Sequence, residues 1–297
     1  MRYGYHSGTG RVGSDATPTN RKFHYVSNGR MKAVPADRCG GRLYLGVELE
    51  VDGFRTDAYA VECTEYVDSV LGEYAICMYD GSLYNGFEIV FDPMTLKAFA
   101  MIRPLVEQVM AELQARGGHS HDSQHCGLHV HTSRVAWGND DHARSLAFGK
   151  AMELTERYQA ELSAIARRDV TASQWCRPNG YNHSTTDSSR AVCRKANNVT
   201  VMQGFGCHDG RRYHVWNFQN RSTVECRAFK GTLKAETFYA TLAFVDGLVR
   251  YCTLKTTPEV HNVTFAELID WINDTDLSSY WTTRRSYVRI YTPHIAA

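Results

Sequence analysis

Apolar and polar residues change their spacing near residue 43, and from there the spacing predicts a series of strands and helices. Apolar positions two apart are typical of strands, and positions three or four apart are typical of helices. The predicted strands are Leu43–Val51, Glu73–Tyr79, Gly86–Phe91, Gly127–Thr132, Arg211–Phe218 and Thr223–Phe229. The predicted helices are Asp57–Leu71, Thr95–Arg116 with a kink at Pro104, Asp140–Arg168, Glu236–Leu254 and Thr264–Asn273. No repeat and no clear linker interrupts them, so residues 43–297 are expected to form one domain.

Two segments do not follow this spacing. Residues 1–42 show no sustained periodicity and predict a flexible leader. Residues 169–210 are rich in Ser, Thr and Asn and contain the turn signal Pro178-Asn179-Gly180. Loops this long inside a compact domain are usually functional or disordered. We expect this one to be a lid or a substrate loop.

The charge of the chain is close to zero overall but is unevenly distributed. Lys and Arg total 33 and Asp and Glu total 32, which gives a net charge of +1. The leader contains eight basic and two acidic residues and is therefore +6, which leaves −5 for the rest. The near-neutral total argues against a dedicated nucleic-acid binder, which normally has a clear basic excess. No stretch approaches the ~18 consecutive apolar residues of a membrane span, so no membrane partner is expected.

The cysteines indicate a reducing environment. There are nine, an odd number, and none of them forms a Cys-x-x-Cys pair. Secreted disulfide scaffolds are short and dense in cysteine, which this chain is not. We therefore predict a cytoplasmic protein with free thiols.

Ionisable residues recur two positions apart inside otherwise apolar strands. The pairs are Glu48 with Glu50, His129 with His131, and Glu225 with Arg227, and a further strand contains Glu88. Each pair lies on one face of its strand because strand side chains alternate. A single strand of this kind also fits a polar face in water. Several carboxylates on one face, however, repel one another unless a cation neutralises them.

The chemistry of this set favours phosphoryl transfer. Carboxylate oxygens with an imidazole suit Mg²⁺ or Mn²⁺, and the planar fork of an arginine matches phosphate oxygens. Metal ions and arginines are the groups on which phosphoryl transfer depends. The chain lacks the Gly-x-x-x-x-Gly-Lys-Ser/Thr loop, so an ordinary P-loop does not bind the phosphates.

Five sequence blocks in this order resemble the amidoligase branch of the carboxylate–amine ligase superfamily, which includes glutamine synthetase and glutamate–cysteine ligase. The blocks are Gly46–Glu50, Asp80–Leu83 followed by Gly86–Val90, Cys126–His131, Arg212–Asn217, and Thr223–Phe229 with Gly231–Leu233. The resemblance extends from about Leu43 to Leu233. Residues 169–210 have no counterpart that can be aligned, so the resemblance does not identify the substrates.

The resemblance implies both a fold and a reaction. The fold is α+β, with a curved, mainly antiparallel sheet that forms a funnel-shaped active site and with helices on the outer face, as in glutamine synthetase. In the reaction, ATP phosphorylates a carboxylate and an amine then displaces phosphate, which leaves an amide. The implied substrates are small-molecule or peptide carboxylates and amines. Because relatives often assemble, a homo-oligomer is also an expectation.

The resemblance also implies a role for individual residues. The implied ligands of Mg²⁺ or Mn²⁺ are Glu48, Glu50, Glu88, His129 and Glu225. The implied catalytic residues are Glu48, Arg212, Glu225 and Arg227. The implied ATP-binding residues are Glu50, His131, Arg212 and Asn217. The implied substrate-binding residues are Asp80, Ser82 and Arg227. Asp80 equally fits an ordinary Asp-Gly turn, and His131 equally fits a packed strand histidine.

Two other functions remain open at the level of sequence. The close spacing of His125, Cys126, His129 and His131 also fits a zinc-dependent hydrolase. Alternatively, the basic leader fits a non-catalytic binding module that holds nucleic acid or an acidic partner with its N-terminal arm. The hydrolase leaves the glutamates and arginines of the other strands without a role.

Overall fold

A computed structural model describes residues 43–274 apart from 73, 124, 180–211 and 221. The strands of this part of the chain are β1 (Leu45–Val51), β2 (Ala75–Met78), β3 (Phe87–Met94), β4 (Gly127–Ser133), β5 (Trp216–Asn217) and β6 (Thr223–Lys230). Its helices are α1 (Asp57–Leu71), α2 (Leu96–Met101), α3 (Arg103–Ala115), α4 (Asp141–Arg157), α5 (Gln159–Ala166), α6 (Ala235–Leu254), α7 (Thr257–Asn262) and α8 (Phe265–Asp274), with a 3₁₀ turn at Arg134–Trp137.

The strands form one open sheet with the order β2-β3-β1-β4-β6-β5. Every adjacent pair is antiparallel, and β1 lies between β3 and β4. Helices and an antiparallel sheet in one unit confirm the predicted α+β class. Among the helices of the described residues, none is both long enough and apolar enough to cross a membrane.

One face of the sheet holds the main hydrophobic core. Leu45, Val47, Leu49 and Val51 of β1 alternate with the glutamates and are fully buried together with residues of the helices. Helix α6 contributes most of its length to this core, including Phe238, which packs against the rings of Phe91 and Phe99. Burial of this apolar face stabilises the sheet and leaves its opposite face for polar side chains.

The opposite face is not polar throughout. Val90 of β3 lies directly across from Glu48 and from Ile76 of β2. Ile76, Met78 and Val90 form a second, smaller apolar cluster, separate from the main core. The face that holds the predicted site therefore changes from ionisable at its centre to apolar at the β2 edge.

All five predicted helical segments contain helix, but two of them are divided in the structure. Helix α1 has the predicted bounds because Thr56 caps it, with its hydroxyl accepting from the N–H of Tyr59 at 3.2 Å. The predicted helix over 95–116 is wrong as a single helix. It is divided at Ile102, and Pro104 sits in the first turn of α3, where a missing N–H is tolerated.

The predicted helix over 140–168 is also two helices. Tyr158 separates α4 from α5, and its hydroxyl donates to the carbonyl of Val263 at 2.5 Å. Arg167, with φ of 57°, ends α5 in the left-handed conformation. The predicted strand over 211–218 is reduced to Trp216–Asn217.

Helix α7 was not predicted, although its start is encoded locally. Thr256 and Glu259 form a capping box, and Pro258 lies in the first turn. The predicted leader of residues 1–42 and residues 180–210 of the predicted loop lie outside the described residues.

Candidate active site

Strand register brings the predicted ionisable residues together at the centre of the sheet. Glu50 lies opposite Glu88 across β1 and β3, and Glu48 lies opposite His129 across β1 and β4. Residues directly opposite in an antiparallel pair point to the same face. All four side chains are buried. The two-residue spacing in the sequence therefore becomes one compact cluster.

The remaining members come from β4, β6 and β5. His131 lies opposite Glu225, and Glu225 lies opposite Asn217. The β4–β6 register shifts between Leu128 and Val130, which places an extra residue on β6 beside Arg227. Such a bulge turns the strand locally and re-aims its side chains. Arg227 donates to Glu225, and this is the shortest ion pair of the cluster.

His129 is the geometric centre of the cluster. Its Nδ1 lies 3.3 Å from Glu48 Oε2, 3.7 Å from Glu225 Oε1 and 3.9 Å from Glu50 Oε1. Ligand atoms within 4.8 Å of one another form two groups, Glu48–His129–Glu225 and Glu50–Glu88–His129. Both groups share the one imidazole.

The electrostatics of the cluster reflect its burial. Burial, together with the charges of Asp80 and Glu88, raises the pKa of Glu50 to about 8. Burial lowers the pKa of His131 to about 4 and holds the pKa of His129 well below its usual range. Burial opposes ionisation of Glu225 as well, but the Arg227 guanidinium, the two imidazoles and the hydrogen bond from Asn217 together outweigh it and lower the pKa of that carboxyl. The imidazoles are therefore neutral and able to bind metal, while Glu50 holds a proton that a cation would displace.

This donor set fits a divalent cation. Three carboxylates surround His129 within 4 Å, and Glu88 completes the second group. Oxygen donors with one nitrogen suit Mg²⁺ or Mn²⁺ better than a soft metal. Within the described part of the chain, neither metal-type group contains a cysteine. Burial raises the pKa of Cys126 to about 12 in the metal-free protein. The lack of a cysteine in both groups is what disfavours the zinc alternative.

A cavity of about 400 Å³ opens onto this cluster. The residues that line it are Glu48, Glu50, Asp80, Gly81, Ser82, Glu88, His125, His129, Arg168, Trp175, Arg212, Tyr213 and Arg227. The cavity therefore combines acidic and basic side chains in one enclosure of small-molecule size.

The turn that contains Asp80 and Ser82 lies at this cavity. Asp80 Oδ1 accepts from the N–H of Ser82 at 2.7 Å, so Asp80 is a turn former in addition to lining the cavity. Buried Asp52 accepts from the N–H groups of Tyr84 and Asn85 at 3.2 and 2.9 Å. The turn is thus tied to the end of β1. Sequence analysis missed Asp52, although it continues the alternation of carboxylates in β1.

Two of the predicted ATP-binding residues brace the cluster. His131 Nε2 lies 2.9 Å from Glu48 Oε1, and its Nδ1 lies 3.2 Å from the hydroxyl of Thr223. The side-chain amide of Asn217 donates to Glu225 Oε2 at 2.7 Å. Both are buried beside the carboxylates and neither lines the cavity.

Arg212, the other predicted catalytic arginine, lies outside the buried cluster. It lines the cavity and is exposed, and its guanidinium lies 5.7 Å from the ring of Tyr213. The structure also brings Arg168, Trp175 and Tyr213 to the cavity, and sequence analysis assigned no role to any of them. Arg168 ends the predicted helix over 140–168, but nothing in the local pattern shows that it turns toward the sheet.

A cavity bordered by buried ionisable side chains with shifted pKa values is typical of an enzyme active site. A family model described as "Putative amidoligase enzyme" matches residues 49–249, which is most of the chain. The chain belongs to this amidoligase family, as the sequence resemblance predicted. The match begins one residue after Glu48 and includes the rest of the cluster. No curated protein matches the chain.

Proposed function

We propose that the protein is an ATP-dependent carboxylate–amine ligase that forms an amide through an acyl phosphate. Membership of the amidoligase family supports amide-bond formation. The observation that carries the ATP-dependent mechanism is the pair of metal-type groups that share His129 beside a cavity with three arginines. Phosphoryl transfer needs cations on both sides of the transferring group, and this cavity can supply them.

In this proposal His129 with Glu48 and Glu225 would hold one Mg²⁺ or Mn²⁺, and the carboxylates of Glu50 and Glu88 would hold a second. Bound cations would offset the negative charge that phosphates bring to a buried acidic site. His131 and Asn217 keep the Glu48 and Glu225 carboxylates oriented. Such supporting contacts tune ligand geometry and basicity.

The arginines and the β2–β3 turn act on the reacting groups. Arg227, fixed by Glu225, and exposed Arg212 are proposed to stabilise the phosphoryl group as it transfers. Asp80 and Ser82 are proposed to hold the incoming amine, since they present a carboxylate and a hydroxyl to the same cavity. Glu50, His131 and Asn217 are proposed to act on ATP indirectly, through the carboxylates of the cluster and the ions that they hold.

The proposal also includes the shape of the active site, the assembly of the enzyme and its location. A funnel-shaped, glutamine synthetase-like site, a homo-oligomeric assembly and a cytoplasmic location are its further parts. The cavity that opens onto the sheet supports the funnel-shaped site. Six cysteines of the described residues are buried and free, which supports a reducing compartment. Small-molecule and peptide carboxylates and amines are the proposed substrates.

The test is a screen of carboxylate–amine pairs for ADP release in Mg²⁺, with the product identified by mass spectrometry. Wild-type protein should release ADP only when acid, amine and metal are all present. Glu225→Gln should abolish release, because it removes a metal-type oxygen and the partner of Arg227. Glu107→Gln, which alters an exposed pair with Arg103, is the matched control and should retain full turnover. Failure of the wild-type protein to bind ATP with Mg²⁺ would contradict the proposal.

A further inference from the structure

Two guanidinium groups face the cavity without a carboxylate partner. Within the described part of the chain, no carboxylate oxygen lies within 4.0 Å of the guanidinium of Arg168 or Arg212. Arg227, by contrast, is already paired with Glu225. A cation that borders a cavity and has no carboxylate within ion-pair distance favours an anionic ligand there.

Arg168 is held in place by the backbone around it. Its Nη2 donates to the carbonyl of Cys126 at 2.9 Å, and Nη2 of the preceding Arg167 donates to the carbonyl of Lys230 at 2.8 Å. Because Arg167 adopts the left-handed conformation that ends α5, the two arginines anchor the helix end to β4 and β6. Arg168 is therefore fixed at the cavity, with the rest of its guanidinium available to a ligand.

An aromatic pair lines the same cavity. Trp175 and Tyr213 pack edge to face, with ring centres 5.2 Å apart. Backbone bonds link their segments, since Arg177 N–H donates to the Tyr213 carbonyl at 3.1 Å and Val215 N–H donates to the Arg177 carbonyl at 2.8 Å. Trp175 is nonetheless 42% exposed, and of the exposed large apolar residues in the described regions it is the one that lines the cavity.

We propose that Arg168, Trp175 and Tyr213 form a specificity subsite that selects, for the ligase reaction proposed above, an acid whose carboxylate is attached to an apolar, planar group. Arg168 binds the carboxylate before it reacts, and the ring of Trp175 covers the apolar group. An exposed indole beside a fixed guanidinium offers little to a small hydrophilic acid. To an acid with an apolar body it offers both a charge partner and a surface removed from water.

Binding without nucleotide tests this subsite apart from turnover. Phenylacetate, acetate and the uncharged phenylacetamide are titrated calorimetrically into the full chain. Phenylacetate should bind at least about tenfold more tightly than acetate, because ring burial against an indole is a contact of that size. Phenylacetamide, which carries the same ring without a charge, should bind more weakly than phenylacetate because it cannot pair with Arg168.

Variants separate the two parts of the subsite. Trp175→Ala should reduce the preference for phenylacetate over acetate to near one, and Trp175→Phe should preserve most of it. Arg168→Gln should weaken the binding of both acids by about tenfold and leave the ratio of their affinities unchanged, and Arg168→Lys should have an intermediate effect. Leu254→Ala, a change at a 71% exposed apolar residue of α6, is the matched control and should alter nothing.

The outcomes distinguish this inference from the ligase itself. An unchanged ratio in Trp175→Ala, or phenylacetamide binding as tightly as phenylacetate, would overturn the subsite. If neither acid binds at millimolar concentration while ATP with Mg²⁺ does, the subsite is wrong and the ligase proposal stands. If the acids bind as described but ATP does not, the subsite stands and the ligase proposal fails.

Discussion

Glu48 and His129 face each other across β1 and β4, with 3.3 Å between Oε2 of Glu48 and Nδ1 of His129. Each belongs to a strand whose other face is packed into the main core. The register of that core therefore sets the geometry of the site. A slip of one residue would turn the ionisable side chains into the core and the apolar ones into the cavity.

Replacing His129 should affect both metal-type groups at once, because its imidazole is the member they share. We expect His129→Ala to weaken Mn²⁺ binding by at least about tenfold, as loss of a metal ligand or its support commonly does. Mn²⁺ titration followed by electron paramagnetic resonance measures this. His125→Ala, at a cavity residue outside both groups, is the control. Unaltered Mn²⁺ binding in His129→Ala would count against a metal role for the cluster.

The stability of the metal-free protein should fall as pH rises from about 6.5 to about 8. The folded pKa of Glu50, about 8, lies above its ordinary value of 4.5, so the folded state binds the proton more tightly than the unfolded state. Stability from this group is complete at low pH and is lost as the pH approaches 8. His129 and His131 have folded-state pKa values below the ordinary value of 6.5. They therefore change the stability of the protein only below pH 6.5, outside this window.

Metal should reverse that trend, since a cation replaces the Glu50 proton. The rise in melting temperature on adding Mn²⁺ is therefore expected to grow across the same pH window. Differential scanning calorimetry with and without metal provides the measurement, and Glu50→Gln should remove the pH dependence. A metal-induced rise that is equal at both ends of the window would refute the assignment.

A methyl group at Gly86 should disturb the turn at the cavity. A Cβ there would collide with the carbonyl oxygen of Val51 and with the backbone of Asp52, neither of which can move freely. Gly86→Ala is expected to cost about 2 kcal/mol of unfolding free energy. Gly81→Ala is the control, because its nearest new contact would be 3.7 Å away. Equal stability of the two variants in urea denaturation would show that the close approach has no structural importance.

Replacing Asn217 can distinguish support of the Glu225 carboxylate from direct contact with ATP. Its amide donates to Glu225 Oε2 at 2.7 Å, and the residue does not line the cavity. We expect Asn217→Ala to weaken Mn²⁺ binding about tenfold even without nucleotide, because Glu225 loses orientation. Loss of ATP affinity with unchanged Mn²⁺ affinity would instead indicate that Asn217 contacts the nucleotide directly.

Residues of the cluster could be predicted from sequence because strand periodicity is local. Glu48 and Glu50 share a face whatever β1 packs against, and the same holds for His129 and His131. Their convergence also required the strand order, which the spacing of residues does not contain. The family resemblance supplied the expectation that these strands lie side by side.

Other features depended on tertiary contacts that no local pattern reports. The break at Tyr158 coincides with its hydrogen bond to Val263, more than a hundred residues later in the sequence. Arg168 reaches the cavity because α5 ends on the strand edges at Cys126 and Lys230. The capping box formed by Thr256 and Glu259, by contrast, has the local sequence pattern Thr-x-x-Glu, but the helix that it begins was not predicted.

The most direct test of the ligase mechanism is transfer of heavy oxygen from a labelled substrate carboxylate to inorganic phosphate, followed by mass spectrometry during turnover. An acyl phosphate requires one carboxylate oxygen to attack the γ-phosphorus of ATP and to leave with phosphate when the amine attacks. The account predicts one labelled oxygen in each phosphate released, with ADP as the nucleotide product. Unlabelled phosphate, or label appearing in AMP, would contradict it.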